Sequence, residues 1–181
     1  EYGADGTIRE RTGSSLPGIA PSNTYTTRDG RYLVLAANGD SIFNRLMQAI
    51  GRPDIADDPQ FKHNDGRAKA SDELDAILGA WSSSVTLTEA LDILEAAEVP
   101  ASGINSVAEV FEDEQIQARG SIERHALESG LNLCMPAAVP KLTKTPGGTR
   151  WLGPKLGEHN ESILESLGLD PITIRKVTGG D

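Results

Sequence analysis

The pair Asp29-Gly30, set between Tyr25-Thr26-Thr27 and Tyr32-Leu33-Val34-Leu35-Ala36, constrains this chain more than any other stretch. β-Branched and aromatic residues on both sides favour extended backbone, and Asp-Gly supplies the positive φ angles of a tight turn, so an antiparallel hairpin is predicted. Helical stripes follow it. Phe43, Leu46, Met47 and Ile50 recur at i, i+3, i+4 and i+7 behind Asp40 as a cap, and Gly51 and Pro53 stop that helix. Leu74, Ile77, Leu78 and Trp81 repeat the stripe in a segment predicted to start near Arg67. Thr86 with Glu89 forms a capping box that opens a helix whose Leu87, Leu91 and Leu94 face inward as far as Pro100. The last two helices are expected to pair as a helical hairpin, with Trp81 filling the core.

Beyond this the texture changes. Ser106 and Glu109 repeat the capping-box pattern, with a break expected near Asp113-Glu114. Short strands are predicted over 122–125 and 131–135 around a Ser129-Gly130 turn, and 136–155 reads as a long irregular passage. Leu156, Asn160, Ile163, Leu164 and Leu167 fit a final helix ended by Gly168, and Asp170-Pro171 starts one more turn. The fold class read from these patterns is α+β: a small antiparallel sheet with a helical cluster, then an extended C-terminal tail carrying a terminal helix.

Composition removes several function classes. A net charge of −10 leaves no excess of Lys and Arg to displace counterions from nucleic acid, and 4% aromatic residues leave little for base stacking. Cys134 is the single cysteine, so no internal disulfide is possible and a reducing compartment, the cytoplasm, is expected. No run of 18 apolar residues occurs and the start has neither the basic nor the apolar region of a secretory signal, so no membrane association is expected. The chain opens on Glu1, and its numbering is expected to begin inside something larger or after processing.

A self-contained catalytic set is missing from the pattern. His63, His125 and His159 stand in unrelated contexts without metal-ligand spacing, and Asp54, Asp57 and Asp58 lack the alternation of a calcium loop. Neither a G-x-S-x-G elbow nor a P-loop is present, and Gly147-Gly148-Thr149 is too short to cradle phosphate. Cys134, between Leu133 and Met135, has no base near it in sequence and is expected to be inert. Lys141, Lys144, Arg150 and Lys155 form one basic stretch, suited either to a phosphate-bearing ligand or acidic partner or to a solvated strap. That leaves Arg11 to Gly18. Gly13, Ser14 and Ser15 allow close backbone approach and Pro17 restricts the path, so the stretch is either a loop over a site or a connector, and composition alone favours the connector.

Longer words carry a resemblance. Arg11-Thr12-Gly13 leading to Ile19-Ala20-Pro21, then Asp29-Gly30, the run from Ala49-Ile50-Gly51-Arg52-Pro53 through Asp57-Asp58-Pro59-Gln60-Phe61, Glu73-Leu74-Asp75, Val99-Pro100, Ile104-Asn105-Ser106-Val107, Gln115-Ile116-Gln117-Ala118-Arg119-Gly120 and Leu156-Gly157-Glu158-His159 occur in that order. Together they resemble the C-terminal portion of the class III CoA-transferases (CaiB/BaiF), the family of formyl-CoA:oxalate CoA-transferase, carnitine CoA-transferase and α-methylacyl-CoA racemase.

The resemblance implies a protein about twice this length, in which the tail returns to pack on a Rossmann-like large domain. It implies three regions here: a linker or arm with an active-site loop over 1–20, a small α+β domain over 21–121, and a returning segment over 122–181. It further implies acyl-CoA to carboxylate CoA transfer through an Asp-bound anhydride and an enzyme-CoA thioester, with coenzyme A thioester as substrate and no resident prosthetic group. The partners implied are acyl-CoA, a small carboxylic acid and, at full length, a second copy in an interlocked homodimer. The nucleophilic Asp falls outside this chain, so no catalytic residue is assigned here. The one site element that maps is the family's glycine-rich loop, on Gly13, Ser14 and Ser15, where serines replace glycines and could hydrogen-bond a substrate carboxylate. An acyl-CoA racemase or isomerase of the same family, and a non-catalytic interaction module, remain the alternative readings.

Overall fold

The computed structural model describes residues 1–179. Two compact units make it up, one ending at Ser106 and the other starting at Val107.

In the first unit a short helix, α1 (Tyr2–Asp5), is followed by extended chain up to β1 (Ser22–Thr26). β1 pairs antiparallel with β2 (Tyr32–Ala36), Tyr25 facing Leu33 and Thr24 facing Val34. The hairpin is where the Asp-Gly signal put it. Its loop closes with Thr27 N–H donating to Arg31 C=O at 2.9 Å and Gly30 N–H to Thr27 C=O at 2.9 Å. Gly30 supplies the positive φ, 73°, a region that costs a side-chain-bearing residue roughly 1–2 kcal/mol. Alternation along β2 is strict: Leu33 and Leu35 are buried and Tyr32, Val34 and Ala36 face outward.

The inner face is covered by helices whose stripes the periodicity had marked. α2 (Asp40–Ala49) buries Phe43, Leu46 and Met47. A single turn α3 (Pro53–Ala56) and a 3₁₀ turn (Pro59–Phe61) lead to α4 (Asn64–Lys69) and α5 (Ser71–Ser82), which buries Leu74 and Leu78. α6 (Leu87–Ala96) begins at the expected capping box, Thr86 and Glu89 exchanging both bonds, and buries Leu87, Ala90 and Leu94. Each fully buried Leu or Met contributes about 1.5–3 kcal/mol by leaving water.

Four details differ from the expectations. The helix predicted from near Arg67 is two helices, broken at Ala70, whose φ of −111° and ψ of 30° leave the α region. α5 and α6 do not form a helical hairpin on each other: α5 lies chiefly on β1, while α6 packs on β2, on α2 and on residues 101–103. Asp40 is inside α2, not its cap; Gly39 occupies the cap position and the Asp40 carboxylate reaches Arg67 and His63 instead. A third strand, β3 (Ala101–Gly103), joins the sheet in the order β1-β2-β3, with Leu35 facing Ala101. Three residues holding Ala, Ser and Gly carry too little side-chain pattern to announce a strand.

Two contacts tie these layers at their ends. Arg45 on α2 donates Nε to Ala97 C=O at 2.9 Å and Nη2 to Glu98 C=O at 2.8 Å, satisfying carbonyls left open at the C-terminus of α6. Gly66 lies so close to the Gln60 carbonyl oxygen that an added Cβ would stand 1.9 Å from it, so only glycine lets α4 fold back on the 3₁₀ turn.

The second unit opens with α7 (Val107–Glu112) and α8 (Glu114–Ala118), the latter capped by Asp113 accepting from Ile116 N–H. β4 (Ile122–Ala126) and β5 (Asn132–Pro136) then form a separate two-stranded sheet, His125 facing Leu133 and Arg124 facing Cys134. Residues 137–159 are without helix or strand, and α9 (Asn160–Ser166) and α10 (Pro171–Thr178) follow, α10 capped by Asp170 ahead of Pro171 as expected. Ile174 is the buried residue of that last helix. The architecture is thus α+β with small antiparallel sheets. Among the described residues no helix is long and apolar enough to cross a membrane.

Candidate functional site

The arm before β1 has no apolar stripe of its own, so its course depends on polar anchors. At the loop, Gly13 turns the chain at φ 66° and two side chains brace the turn reciprocally. Thr12 Oγ1 donates to Ser15 C=O at 2.9 Å, and Ser15 Oγ donates to Thr12 C=O at 2.9 Å. Ser14 Oγ reaches out of the turn and donates to Asn23 Oδ1 at 2.6 Å.

Behind that contact lies a short network. Asn23 and Tyr25, two residues apart on β1, share the inner face of the sheet, and Asp75 on α5 stands opposite both. Asn23 Nδ2 donates to Asp75 Oδ2 at 2.8 Å and the Tyr25 hydroxyl donates to Asp75 Oδ1 at 2.6 Å. Asn23 Oδ1 also accepts from Thr24 N–H at 2.8 Å. Burial of Tyr25, helped by the adjacent Asp75 carboxylate, pushes its hydroxyl far above the usual phenol range, so it remains a donor at any physiological pH.

Downstream the arm is held by α4. Asn64 brackets it, donating Nδ2 to Gly18 C=O at 2.8 Å and accepting from Ala20 N–H at 3.2 Å. Arg67, with no exposed surface, donates Nε to Ala20 C=O at 3.0 Å. Its other donors go to Phe61 C=O at 2.8 Å, Lys62 C=O at 3.2 Å, Asn38 C=O at 2.6 Å and Asp40 Oδ1 at 2.7 Å. All five guanidinium N–H groups are therefore used. The same group lies 4.7 Å from the Phe43 ring centre, which adds a cation–π contact. His63 and then Arg67 hold the Asp40 carboxyl below the usual aspartate value.

Between the arm and α5 lies a hollow of about 340 Å³, lined by Thr12, Ser15, Ile19, Ser71, Asp72 and Asp75 among others. Its charged lining is two carboxylates, with no Lys, Arg or His among the described residues that border it. Like charge disfavours a carboxylate there.

The structure thus gives each predicted loop residue a place. Gly13 and Ser14 are exposed and Ser15 is half-buried. Each serine hydroxyl has one hydrogen, and both hydrogens are spent within the protein, Ser14 on Asn23 and Ser15 on Thr12. What the loop presents outward is hydroxyl oxygen lone pairs and backbone. Asn23, Asn64, Arg67 and Asp75, which fix the loop and arm, were not singled out from sequence as site residues. No local signal marks them, because the contacts by which they fix the loop and arm span 9 to 52 residues.

The other candidate groups have partners or surroundings of their own. His63 pairs with Asp40 at 2.9 Å on the surface. His125 pairs with Glu123 at 3.1 Å, and Thr149 followed by His125 lowers the Glu123 carboxyl below its usual value. His159 sits at the N-terminal end of α9. Cys134 is half-buried beside an apolar hollow of about 270 Å³ that includes Val110, Phe111, Ile116 and Ile122. In the basic stretch Lys141 donates to Gly120 C=O at 3.2 Å and Lys155 pairs with Glu128. Among the described residues no group of three His, Cys, Asp or Glu side chains is arranged to hold a metal ion.

Similarity to known proteins extends over most of the chain. The sequence model of CoA-transferase family III matches residues 1–160. Succinyl-CoA–D-citramalate CoA-transferase of Chloroflexus aurantiacus is 42% identical over 92% of this chain and 42% of its own. The beta subunit of succinyl-CoA–L-malate CoA-transferase from the same organism is 36% identical over the same shares, and succinate–glutarate CoA-transferase of Agrobacterium fabrum is 33% identical over 87% of this chain and 39% of its own. Among solved structures, a CaiB/BaiF family protein from Brucella suis superposes with a TM-score of 0.70 at 30% identity, covering 92% of this chain and 42% of that one. The chain thus spans 42% or less of the length of these relatives. With the family model matching 160 of its 181 residues, the chain belongs to CoA-transferase family III.

Proposed function

We propose that this chain is the C-terminal part of an acyl-CoA:carboxylate CoA-transferase whose donor is succinyl-CoA and whose acceptor is a second dicarboxylic acid. The observation that carries this reading is the 42% identity to a transferase named for succinyl-CoA and D-citramalate. The relatives named for L-malate and glutarate support a dicarboxylate acceptor. Coenzyme A thioester is then substrate, not resident cofactor.

In this reading an Asp carboxylate outside the chain attacks the thioester carbonyl and expels CoA thiolate, leaving a mixed anhydride. The thiolate returns to the enzyme's acyl carbon and releases succinate, giving an enzyme-CoA thioester. The acceptor carboxylate then attacks that thioester and expels CoA thiolate, leaving a second mixed anhydride, and the thiolate attacks the acceptor's acyl carbon, which frees the Asp carboxylate and the new CoA ester. Gly13, Ser14 and Ser15 cover the reacting groups and limit water, to which both the anhydride and the thioester would be lost.

The whole protein is proposed to divide by destination into the arm 1–20, the small domain 21–121 and a returning segment 122–181 that packs on a large domain. Support for a covered tail comes from exposed apolar side chains: Val139 74%, Trp151 74% and Leu167 69%. An interlocked homodimer at full length is part of the same proposal. The lone Cys134 supports a reducing compartment, the cytoplasm.

The test is to incubate the full-length protein with succinyl-CoA and D-citramalate, L-malate or glutarate, and to separate the acyl-CoA products by chromatography. A new CoA ester formed in step with free succinate is expected, and the isolated 181-residue chain is expected to give none. Exchange of an α-proton without CoA transfer would replace this reading by the racemase, and turnover by the isolated chain would refute the assignment of the nucleophile.

A further inference from the structure

We propose that Asn23 and Asp75 are positioning residues that latch the Gly13-Ser14-Ser15 loop, through the Ser14 hydroxyl, in the place where it covers the reacting groups. The proposal rests on the reading of that loop as a cover, and it names what holds the cover down.

The chemistry of the network gives it direction. Asp75 has only acceptors to offer as a carboxylate, and one oxygen is taken by the buried Tyr25 hydroxyl at 2.6 Å. Its second oxygen accepts from Asn23 Nδ2 at 2.8 Å. With its NH₂ turned toward Asp75, the Asn23 amide has to present Oδ1 to the arm. That oxygen takes Thr24 N–H at 2.8 Å and Ser14 Oγ at 2.6 Å. The orientation of a surface hydroxyl is therefore dictated by a tyrosine and a carboxylate on the sheet and on α5. Ser15 does not share this role, because its hydroxyl braces the turn from inside, on Thr12 C=O at 2.9 Å.

Only Ser14 ties the Gly13-Ser14-Ser15 turn to the sheet by a side chain among the described contacts; the next anchor, Asn64 on Gly18 C=O, lies four residues further along. Loss of one hydrogen bond of this kind changes an opening equilibrium by about two- to tenfold. The expected consequence is local to the loop.

The experiment uses the full-length protein with Ser14→Ala, Asn23→Leu, Asp75→Leu and Asp75→Asn, and the Ser14→Ala/Asn23→Leu double variant. The rate of cleavage within residues 12–17 by subtilisin is mapped by mass spectrometry, beside kcat and KM and the unfolding midpoint; such cleavage follows the population of the opened loop. Ser14→Ala and Asn23→Leu should each speed cleavage about two- to tenfold, and the double variant should be no faster than either, because both remove the same Ser14–Asn23 bond. Asp75→Leu should speed cleavage as well. Asp75→Asn should restore the parent rate, since its amide oxygen accepts from Asn23 and its NH₂ donates to the Tyr25 oxygen. kcat should fall in the order in which cleavage rises, with KM for acyl-CoA changed less. Unchanged cleavage within 12–17 in Asn23→Leu, with a lowered unfolding midpoint, would overturn the latch and leave Asn23 as a strand residue only. Because cleavage is read without turnover, a protein lacking transferase activity but showing these cleavage changes would refute the function and keep the latch.

Discussion

The hairpins 22–36 and 122–136 are built alike and end up in opposite circumstances. Both have five-residue strands, and both close with the same pair of bonds, Thr27 with Arg31 and Gly30 in one and Leu127 with Leu131 and Gly130 in the other, each at 2.9 Å. Gly30 and Gly130 take the same left-handed turn, at φ 73° and 84°. Yet Leu33 has no exposed surface while Leu133, at the corresponding position, is 36% exposed, and no residue of β4 or β5 is buried. Local chain chemistry makes a hairpin; what becomes of its apolar face depends on what arrives to cover it. The first is roofed by α2, α5 and α6, which lie within 60 residues of β2. The second has α7 and α8 beside it, short helices with no buried residue.

The largest effect expected from this contrast is on the two arginines that stack on phenylalanine. Arg67→Ala should cost about 3–5 kcal/mol in urea denaturation, because it strips four carbonyls and Asp40 of their buried donors. Arg124, 5.9 Å from the Phe111 ring and open to solvent, should lose less than about 1 kcal/mol on the same change. Next come the paired leucines. Leu33→Ala should cost about 2–5 kcal/mol and Leu133→Ala well under half of that. Equal losses, measured in the full-length protein, would break the contrast and show that the second hairpin is covered in its working form.

The third test should show no contrast at all. Gly30→Ala and Gly130→Ala each force a side chain into left-handed backbone and should each cost about 1–2 kcal/mol, since the strain is local and indifferent to burial. The smallest effect is on acid sensitivity. The Asp40 carboxyl is held below its usual 3.8 by His63 and Arg67, and Glu123 below its usual 4.5 by Thr149 and His125. A carboxyl depressed in the folded state stabilises fully above its unfolded value and loses that contribution as pH falls through the folded one. Unfolding midpoints followed from pH 6 downward should therefore drop below about pH 4.5, and Asp40→Asn or Glu123→Gln should each flatten part of that drop.

Much of the fold was legible because it is written in short periods. Phe43, Leu46 and Met47, the Thr86–Glu89 box, Asp170-Pro171 and both hairpin turns involve residues at most four or five apart, and each stands where the pattern put it. The breaks in that success share a cause. Asp40 reads as a helix cap until Arg67, 27 residues on, claims its carboxylate, and Arg67 reads as an ordinary helical residue until its donors are counted. β3 is a strand because Leu33 and Leu35 offer it an edge, not because Ala101, Ser102 and Gly103 favour one. The loop shows the same division. Gly13, Ser14 and Ser15 could be picked out as small residues, and by resemblance as a site, but the commitment of their hydroxyls to Asn23 and Thr12 could not.

The sequence by itself determined most of the elements and the family, because propensity, periodicity and turn chemistry act over a few bonds and survive without any neighbour. Only the tertiary structure decided which of two like hairpins is buried, where the donors of Arg67 go, and that Ser14 is tied to Asn23 and Asp75. The Ser14–Asn23, Asn23–Asp75 and Arg67–Ala20 bonds join groups 9, 52 and 47 residues apart in sequence. A pattern confined to neighbouring residues holds no record of such pairings, which are fixed when buried polar groups must find partners as the core closes.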